Sequence, residues 1–254
     1  VKYVRFDSDG RVLFGLVSSD GGSIVPLDGP PWAGGRPAGP ERAFASLHLR
    51  APAVPSKIVA VGLNYRDHAA ELSMAQATEP VLFLKPPSSI LDPGGVIVRP
   101  PQSVRVDFEA ELAFVIGRTC RNVSRESAME HIAGFTCFND VTARDLQKKD
   151  VQWTRAKSFD TFSPFGPWIV TPDEVALADA KVRARVNGVV KQESSTKNFL
   201  FDIPYLVAFI SSVMTLVPGD VVTTGTPPGV GPLESGDTVE IIVDGVGILM
   251  NKVK

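Results

Sequence analysis

The sequence predicts a β-rich α+β fold, and a few features carry that reading. Most apolar segments are short and bounded by turn residues, as strands are. Tight hairpins are written directly in the chain. Val182 to Val186 and Val189 to Gln192 flank Asn187-Gly188, and Thr238 to Val243 and Val246 to Met250 flank Asp244-Gly245. Helical signals are few; the firmest is Asp202 as a cap, with Pro204 in the first turn of a segment running to about Met214. At 254 residues the chain can bury a large core, as one large domain or one domain with an appendage.

Taken in order, residues 1 to 27 read as small antiparallel strands turning at Asp7-Ser8-Asp9-Gly10 and Asp20-Gly21-Gly22. Residues 28 to 56 carry Pro30, Pro31, Pro37, Pro40, Pro52 and Pro55 and form a connector, with one short helix expected at Glu41 to Leu49. The division expected is residues 1–55, a small N-terminal β module with its Pro/Gly-rich connector, and residues 56–254, the main domain. Lys57 to Gly62 is a buried strand, and residues 72 to 79 lack a period and suit a mobile cover. Val81 to Lys85 is a strand stopped by Pro86-Pro87, where Lys85 is open to a substrate contact, although a strand-end lysine is more often solvated. Ser124 is placed to cap a helix from Arg125 to Ala133 closed by Gly134, followed by a strand at Phe135 to Phe138. Thr142 to Lys149 fits a short helix bringing Arg144 and Gln147 together, and Trp153 to Phe162 reads as an irregular loop containing Lys157 and Thr161.

A net charge of −2 and a pI near 6.0 give no basic field for nucleic acid or an anionic membrane. Cys120 and Cys137 have no CxxC spacing, so they read as core thiols rather than a zinc or disulfide framework. His48, His68 and His131 lack metal-binding spacing. Val1 to Arg5 has no apolar signal core, and Tyr205 to Val217 is too short to span a bilayer. A reducing cytoplasm is the expected location.

The chemistry concentrates in Asp107-Phe108-Glu109-Ala110-Glu111. Alternation on a strand points Asp107, Glu109 and Glu111 to one face and Phe108, Ala110 and Leu112 to the other. Neighbouring carboxylates repel, and burial raises that cost unless a proton or cation intervenes. Hard oxygen ligands suit Mg2+, Mn2+ or Ca2+. The pattern alone fits an exposed acidic edge strand about as well; Asp140, ending another apolar run, favours the cation. His68 and Glu71 are three apart, the spacing of a proton-handling pair, although an isolated HxxE is more often a surface contact. The glycine-rich loop Thr224-Gly225-Thr226-Pro227 offers hydroxyls and N–H groups suited to anions, and no Lys-Ser/Thr follows to make it a P-loop.

Together these stretches resemble the fumarylacetoacetate hydrolase family, especially its shorter bacterial, acylpyruvase-like branch. The resemblance runs from about Lys57 to Val253, through Gly62-Leu63-Asn64-Tyr65-Arg66-Asp67-His68, Phe83-Leu84-Lys85-Pro86, the acidic strand, Asn139-Asp140-Val141-Thr142-Ala143-Arg144-Asp145-Leu146-Gln147, Ala156-Lys157-Ser158-Phe159 and Thr224-Gly225-Thr226-Pro227. It implies a rolled mixed β-sheet core, commonly in a homodimer. It implies Glu109, Glu111 and Asp140 as ligands of Mg2+ or Mn2+ (with Ca2+ as a crystal substitute), leaving Asp107 out. By the same resemblance His68 and Glu71 handle protons in a lid, Lys157 is catalytic, and Gln147, Thr226, Gly225 and Arg66 contact substrate. The founding hydrolase carries a further aspartate ligand where Val61 stands, which argues against fumarylacetoacetate itself as substrate.

The implied activity is divalent-metal-dependent hydrolysis of a C–C bond in acylpyruvates, of fumarylpyruvate or acetylpyruvate type, through a chelated enolate. The alternatives are isomerisation of 2-hydroxyhepta-2,4-diene-1,7-dioate in aromatic catabolism, and decarboxylation of 5-oxopent-3-ene-1,2,5-tricarboxylate or oxaloacetate. A non-catalytic protein that binds metal and oxo acid is the reading of a different class. The expected partner is a small oxo acid, with neither nucleic acid nor membrane.

Overall fold

The structure is a computed structural model that describes residues 1–67 and 77–254. Among these, strands dominate and group into a large mixed sheet, a five-stranded sheet and a small three-stranded one. The large sheet runs in the order Arg42–Ala43, Ser23–Leu27, Arg11–Val17, Lys2–Ser8, Ser163–Val170, Ile132–Asn139, Ala110–Ile116, Val221–Thr223, Ile58–Gly62 and Val81–Lys85. Most neighbours are antiparallel, but Val221–Thr223 pairs parallel with Ile58–Gly62, which makes the sheet mixed. The N-terminal strands are continuous with it, because Lys2 and Tyr3 pair with Val170 and Ile169.

The five-stranded sheet is built on the expected hairpins, Lys181–Val186 with Val189–Ser195 and Thr238–Val243 with Gly247–Val253. Asn187 and Gly188 both have positive φ, as a two-residue turn matching the strand twist requires. Buried residues of both sheets, among them Phe114, Phe135, Val182, Ile241 and Leu249, share one apolar cluster. The strand Ala110–Ile116 is therefore covered on both faces and buried throughout, so its continuous apolar run fits the centre of the fold. Asp202 caps the helix Ile203–Val213 by accepting from the Tyr205 N–H, as expected.

Several local expectations give way to long-range pairing. The Glu41 to Leu49 helix is absent; Arg42–Ala43 pairs with Ser23 and Ile24, and Leu49–Arg50 pairs with Arg5 and Phe6, leaving a single 3-10 turn at Phe44–Ser46. Likewise Arg125 to Ala133 yields only the 3-10 turn Ala128–His131, because Ile132 is drawn into the sheet opposite Ile116. Propensity is weaker than a ladder that also buries apolar surface. Thr142–Ala143 is a strand before the helix Arg144–Lys149, and the loop after it contains a helical turn at Thr154–Lys157.

The acidic stretch is also not one strand. It divides at Glu109 into Val106–Phe108, in the small sheet, and Ala110–Ile116, in the large one. Side-chain amides replace the ladder at the break. Glu109 N–H donates to Asn139 Oδ1 at 3.0 Å, and Ala110 N–H donates to Gln192 Oε1 at 2.9 Å.

Candidate active site

Four pieces of chain converge at that break. The strand Ala110–Ile116 and the residue before it supply Glu111 and Glu109, and the end of Ile132–Asn139 delivers Asp140. The helical turn Thr154–Lys157 presents Lys157, and the edge strand Val81–Lys85 ends on Lys85. Lys157 Nζ lies 2.8 Å from Glu109 Oε2 and 2.6 Å from Asp140 Oδ2, while Lys85 Nζ lies 2.5 Å from Asp140 Oδ1. Arg144 donates to Glu109 at 2.6 Å, to Asp107 at 2.9 Å and to Gln147 Oε1 at 2.6 Å. Asp107, held also by Arg105, sits on the far side of Arg144 and does not join the other carboxylates.

Glu109, Glu111 and Asp140 are buried, and a ligand oxygen from each lies within 4.8 Å of the others. Their surroundings differ. Burial pushes the Glu109 carboxyl up, but the charges of Lys157 and Arg144 outweigh it and hold the pKa down at about 2. Glu111 is pushed well above the carboxylate range, first by burial and then by the charges of Asp140 and Glu109. Burial disfavours the Lys157 charge, yet Asp140 and Glu109 keep its pKa above the ordinary lysine value. At Lys85 burial prevails and the pKa is lowered.

The donor set fits a hard divalent cation. It consists of carboxylate oxygens, and Glu111 has no cationic side chain in contact among the described residues. Its Oε2 accepts instead from the Gly225 N–H at 2.8 Å. The N–H that the glycine-rich loop offers at Gly225 is therefore taken by the protein's own Glu111 carboxyl.

A cavity of about 240 Å³ opens over these groups, lined by Glu109, Glu111, Asp140, Lys157, Gln147 and Thr226 together with Val61, Phe83, Trp153 and Lys148. A larger one, about 580 Å³, lies at Val17, Phe44 and Trp168 with Asp20 and Glu174 in its lining, and holds no group of three metal-ligating side chains among the described residues. Arg66 departs from expectation: it is exposed, reaches the Lys197 carbonyl at 3.3 Å, and lines a neighbouring cavity with Arg125 and Tyr205. Thr161 accepts from the Val98 N–H and lies outside the carboxylate cavity. His68 and Glu71 lie outside the described residues, as does most of the expected cover at 72 to 79.

Sequence reasoning missed Lys85 and Gln192. Lys85 is almost fully buried rather than solvated, because Asp140 supplies the partner that lets a lysine leave water. The available signal was its place at the end of an apolar strand facing a second acidic run. Gln192, buried on the hairpin strand Val189–Ser195, carried no local signal.

A rolled β fold that buries opposed carboxylates and ammonium groups at the floor of a small cavity has the layout of an enzyme site. The description "Fumarylacetoacetate (FAA) hydrolase C-terminal" matches residues 57–254, and "Rv2993c-like, N-terminal" matches residues 1–52. The chain belongs to the fumarylacetoacetate hydrolase family. A solved 5-carboxymethyl-2-hydroxymuconate delta-isomerase from Mycobacterium smegmatis superposes with a TM-score of 0.93 at 45% identity, covering 100% of this chain and 99% of that one. The 2,4-didehydro-3-deoxy-L-rhamnonate hydrolase of a Sphingomonas strain is 44% identical over 201 residues, 75% of this chain and 70% of the relative. The human mitochondrial oxaloacetate tautomerase FAHD2B is 44% identical over 209 residues, 78% of this chain and 67% of the relative. Enzymes thus surround this chain, but they carry out different reactions. Val61 is buried and lines the cavity. Among the described residues, no helix is long and apolar enough to cross a membrane.

Proposed function

We propose that this protein is a divalent-cation-dependent enzyme that cleaves a C–C bond in acylpyruvates, such as fumarylpyruvate or acetylpyruvate, and works as a homodimer. The observation that supports this most directly is the buried set Glu109, Glu111 and Asp140, with Glu111 lacking a cationic side chain in contact among the described residues. Mg2+ or Mn2+ held there would supply Lewis-acid polarisation of a 2-oxo acid or 1,3-dicarbonyl unit. Lys157, buried between Glu109 and Asp140, keeps its proton and presents positive charge where an enolate develops. Gln147, oriented by Arg144, turns its amide N–H groups toward a substrate oxygen.

By family resemblance, His68 takes a proton from water as the water oxygen bonds to the distal acyl carbonyl, and Glu71 orients the ring. The C–C bond then breaks. Its electron pair becomes the pyruvate enolate, which takes a proton to give pyruvate, while the acyl fragment leaves as a carboxylic acid.

Proton transfer without water attack is the second reading, supported by the similarity to the isomerase structure and to the tautomerase. The same enolate then returns to a ketone after protonation at a different atom. Decarboxylation of an oxo acid would also need no attacking water.

A parallel assay of acetylpyruvate, fumarylpyruvate, oxaloacetate and 2-hydroxyhepta-2,4-diene-1,7-dioate with Mg2+ or Mn2+ tests the proposal. Pyruvate release from the acylpyruvates is expected. Turnover confined to oxaloacetate or the dienedioate would overturn the hydrolase reading.

A further inference from the structure

Trp153 and Lys157 stand one helical turn apart. The Lys157 N–H donates to the Trp153 carbonyl at 3.0 Å, so the turn Thr154–Lys157 holds the two side chains at i and i+4, on one face. Their separation along the turn is one helix pitch, about 5.4 Å. Both line the cavity over the carboxylates.

The seat of the indole is equally specific. Gly62 pairs with Val81 and Ala60 with Phe83, so Gly62, Val81 and Phe83 share one face of the sheet. Trp153 lies against that face, meeting Phe83 edge to face with ring centroids 5.3 Å apart. A Cβ at Gly62 would stand 2.9 and 3.2 Å from two carbons of the indole ring. Gly62 is a strand residue without a left-handed φ, so the missing side chain makes room for the ring rather than for an unusual backbone.

The cavity therefore has two unlike ends. Lys157 Nζ binds Glu109 and Asp140 on one side and lies 5.1 Å from the centre of the Phe83 ring on the other. At Phe83 the charged floor gives way to an apolar wall, and Trp153 continues that wall. At about 240 Å³ the cavity is also small beside the roughly 300–1,000 Å³ of drug-sized ligand pockets.

We infer that Trp153 is a specificity-determining residue: a ligand whose oxo-acid end sits at the carboxylates and Lys157 runs its tail along Phe83, and the indole limits the length of tail accepted. This rests on the oxo-acid reading above and deepens it, since it confines the substrates to short acyl chains. Because Trp153 and Lys157 belong to one turn, the limit is measured from the charged end itself.

The test is a calorimetric titration, in Mn2+ buffer, of straight-chain 2-oxo acids from pyruvate to 2-oxooctanoate. These keep the oxo-acid end and lack the 1,3-dicarbonyl unit that would be cleaved. Each buried methylene adds about fourfold in affinity until the tail meets the ring. Wild type should therefore bind more tightly along the series and then lose roughly tenfold at the first acid that is too long. Trp153→Ala should go on gaining through 2-oxooctanoate. Gly62→Ala pushes the ring off its seat without removing it, so it should shift the length at which affinity turns, and should add nothing in the Trp153→Ala background. The same turning point in wild type and Trp153→Ala overturns the inference and leaves the proposed function intact, as does a wild-type affinity that rises through the whole series. Should Trp153→Ala not fold, Gly62→Ala decides: a turning point identical to wild type overturns the inference. If no member of the series binds wild type, the oxo-acid reading falls and takes this inference with it.

Discussion

Lys85 Nζ lies 2.5 Å from Oδ1 of Asp140, and both side chains are buried. Asp140 also accepts from Lys157, so one carboxylate is held between two ammonium groups from distant parts of the chain. This contact fixes Asp140 from a side chain that does not line the cavity.

Removing Lys85 breaks a buried ion pair while leaving the carboxylate buried. Lys85→Met is expected to lower unfolding free energy by about 3 kcal/mol in urea titrations of EDTA-treated protein. Adding Mn2+ should recover more stability in the variant than in wild type, because a bound cation replaces part of the lost charge. Indifference of Lys85→Met to both conditions would count against the coupling.

Gln192 bridges the five-stranded sheet to the break in the acidic strand. Gln192→Leu leaves the Ala110 N–H and the Pro227 carbonyl without their partners, at a cost of roughly 1–3 kcal/mol each. Turnover should fall along with stability, since Ala110 separates Glu109 from Glu111. Wild-type kinetics in this variant would show that the clamp does not set ligand geometry.

The two cysteines provide a test of burial. Burial pushes Cys120 up to about 11 and Cys137 up to about 12, from an ordinary 9.0. Native protein at pH 8 should therefore resist iodoacetamide, and both thiols should label in urea. The stability linkage has a definite sign. As pH rises above 9 the unfolded chain loses these protons first, so stability present below that pH declines through the folded-state values. Rapid native labelling would contradict the buried placement.

How much was legible in the sequence depended on the distance over which each residue finds its partners. The hairpin at Asn187-Gly188 and the cap at Asp202 are local, and both form as read. Alternation made Asp107, Glu109 and Glu111 equivalent and the apolar run before Asp140 added a fourth candidate; only the family resemblance left Asp107 out, and the ladder between Ala110–Ile116 and Ile132–Asn139 brings the two acidic runs together. Lys85 and Gln192 were not legible, since their partners lie 55 and 82 residues away and nothing nearby marks them as buried. The missing helix at Arg125 to Ala133 has the same origin: Ile132 answers to Ile116 rather than to its neighbours.

The central claim is that Glu109, Glu111 and Asp140 hold a divalent cation, and Glu111 tests it best because it contacts no cationic side chain among the described residues. Titrating EDTA-stripped protein with Mn2+ in a calorimeter should show one site per chain in wild type. Glu111→Gln should weaken that site by more than the roughly 10–100-fold that a merely supporting residue costs, while making the stripped protein more stable at neutral pH by removing an acid whose ionisation is opposed first by burial and then by Asp140 and Glu109. Wild-type Mn2+ affinity in Glu111→Gln would contradict the account.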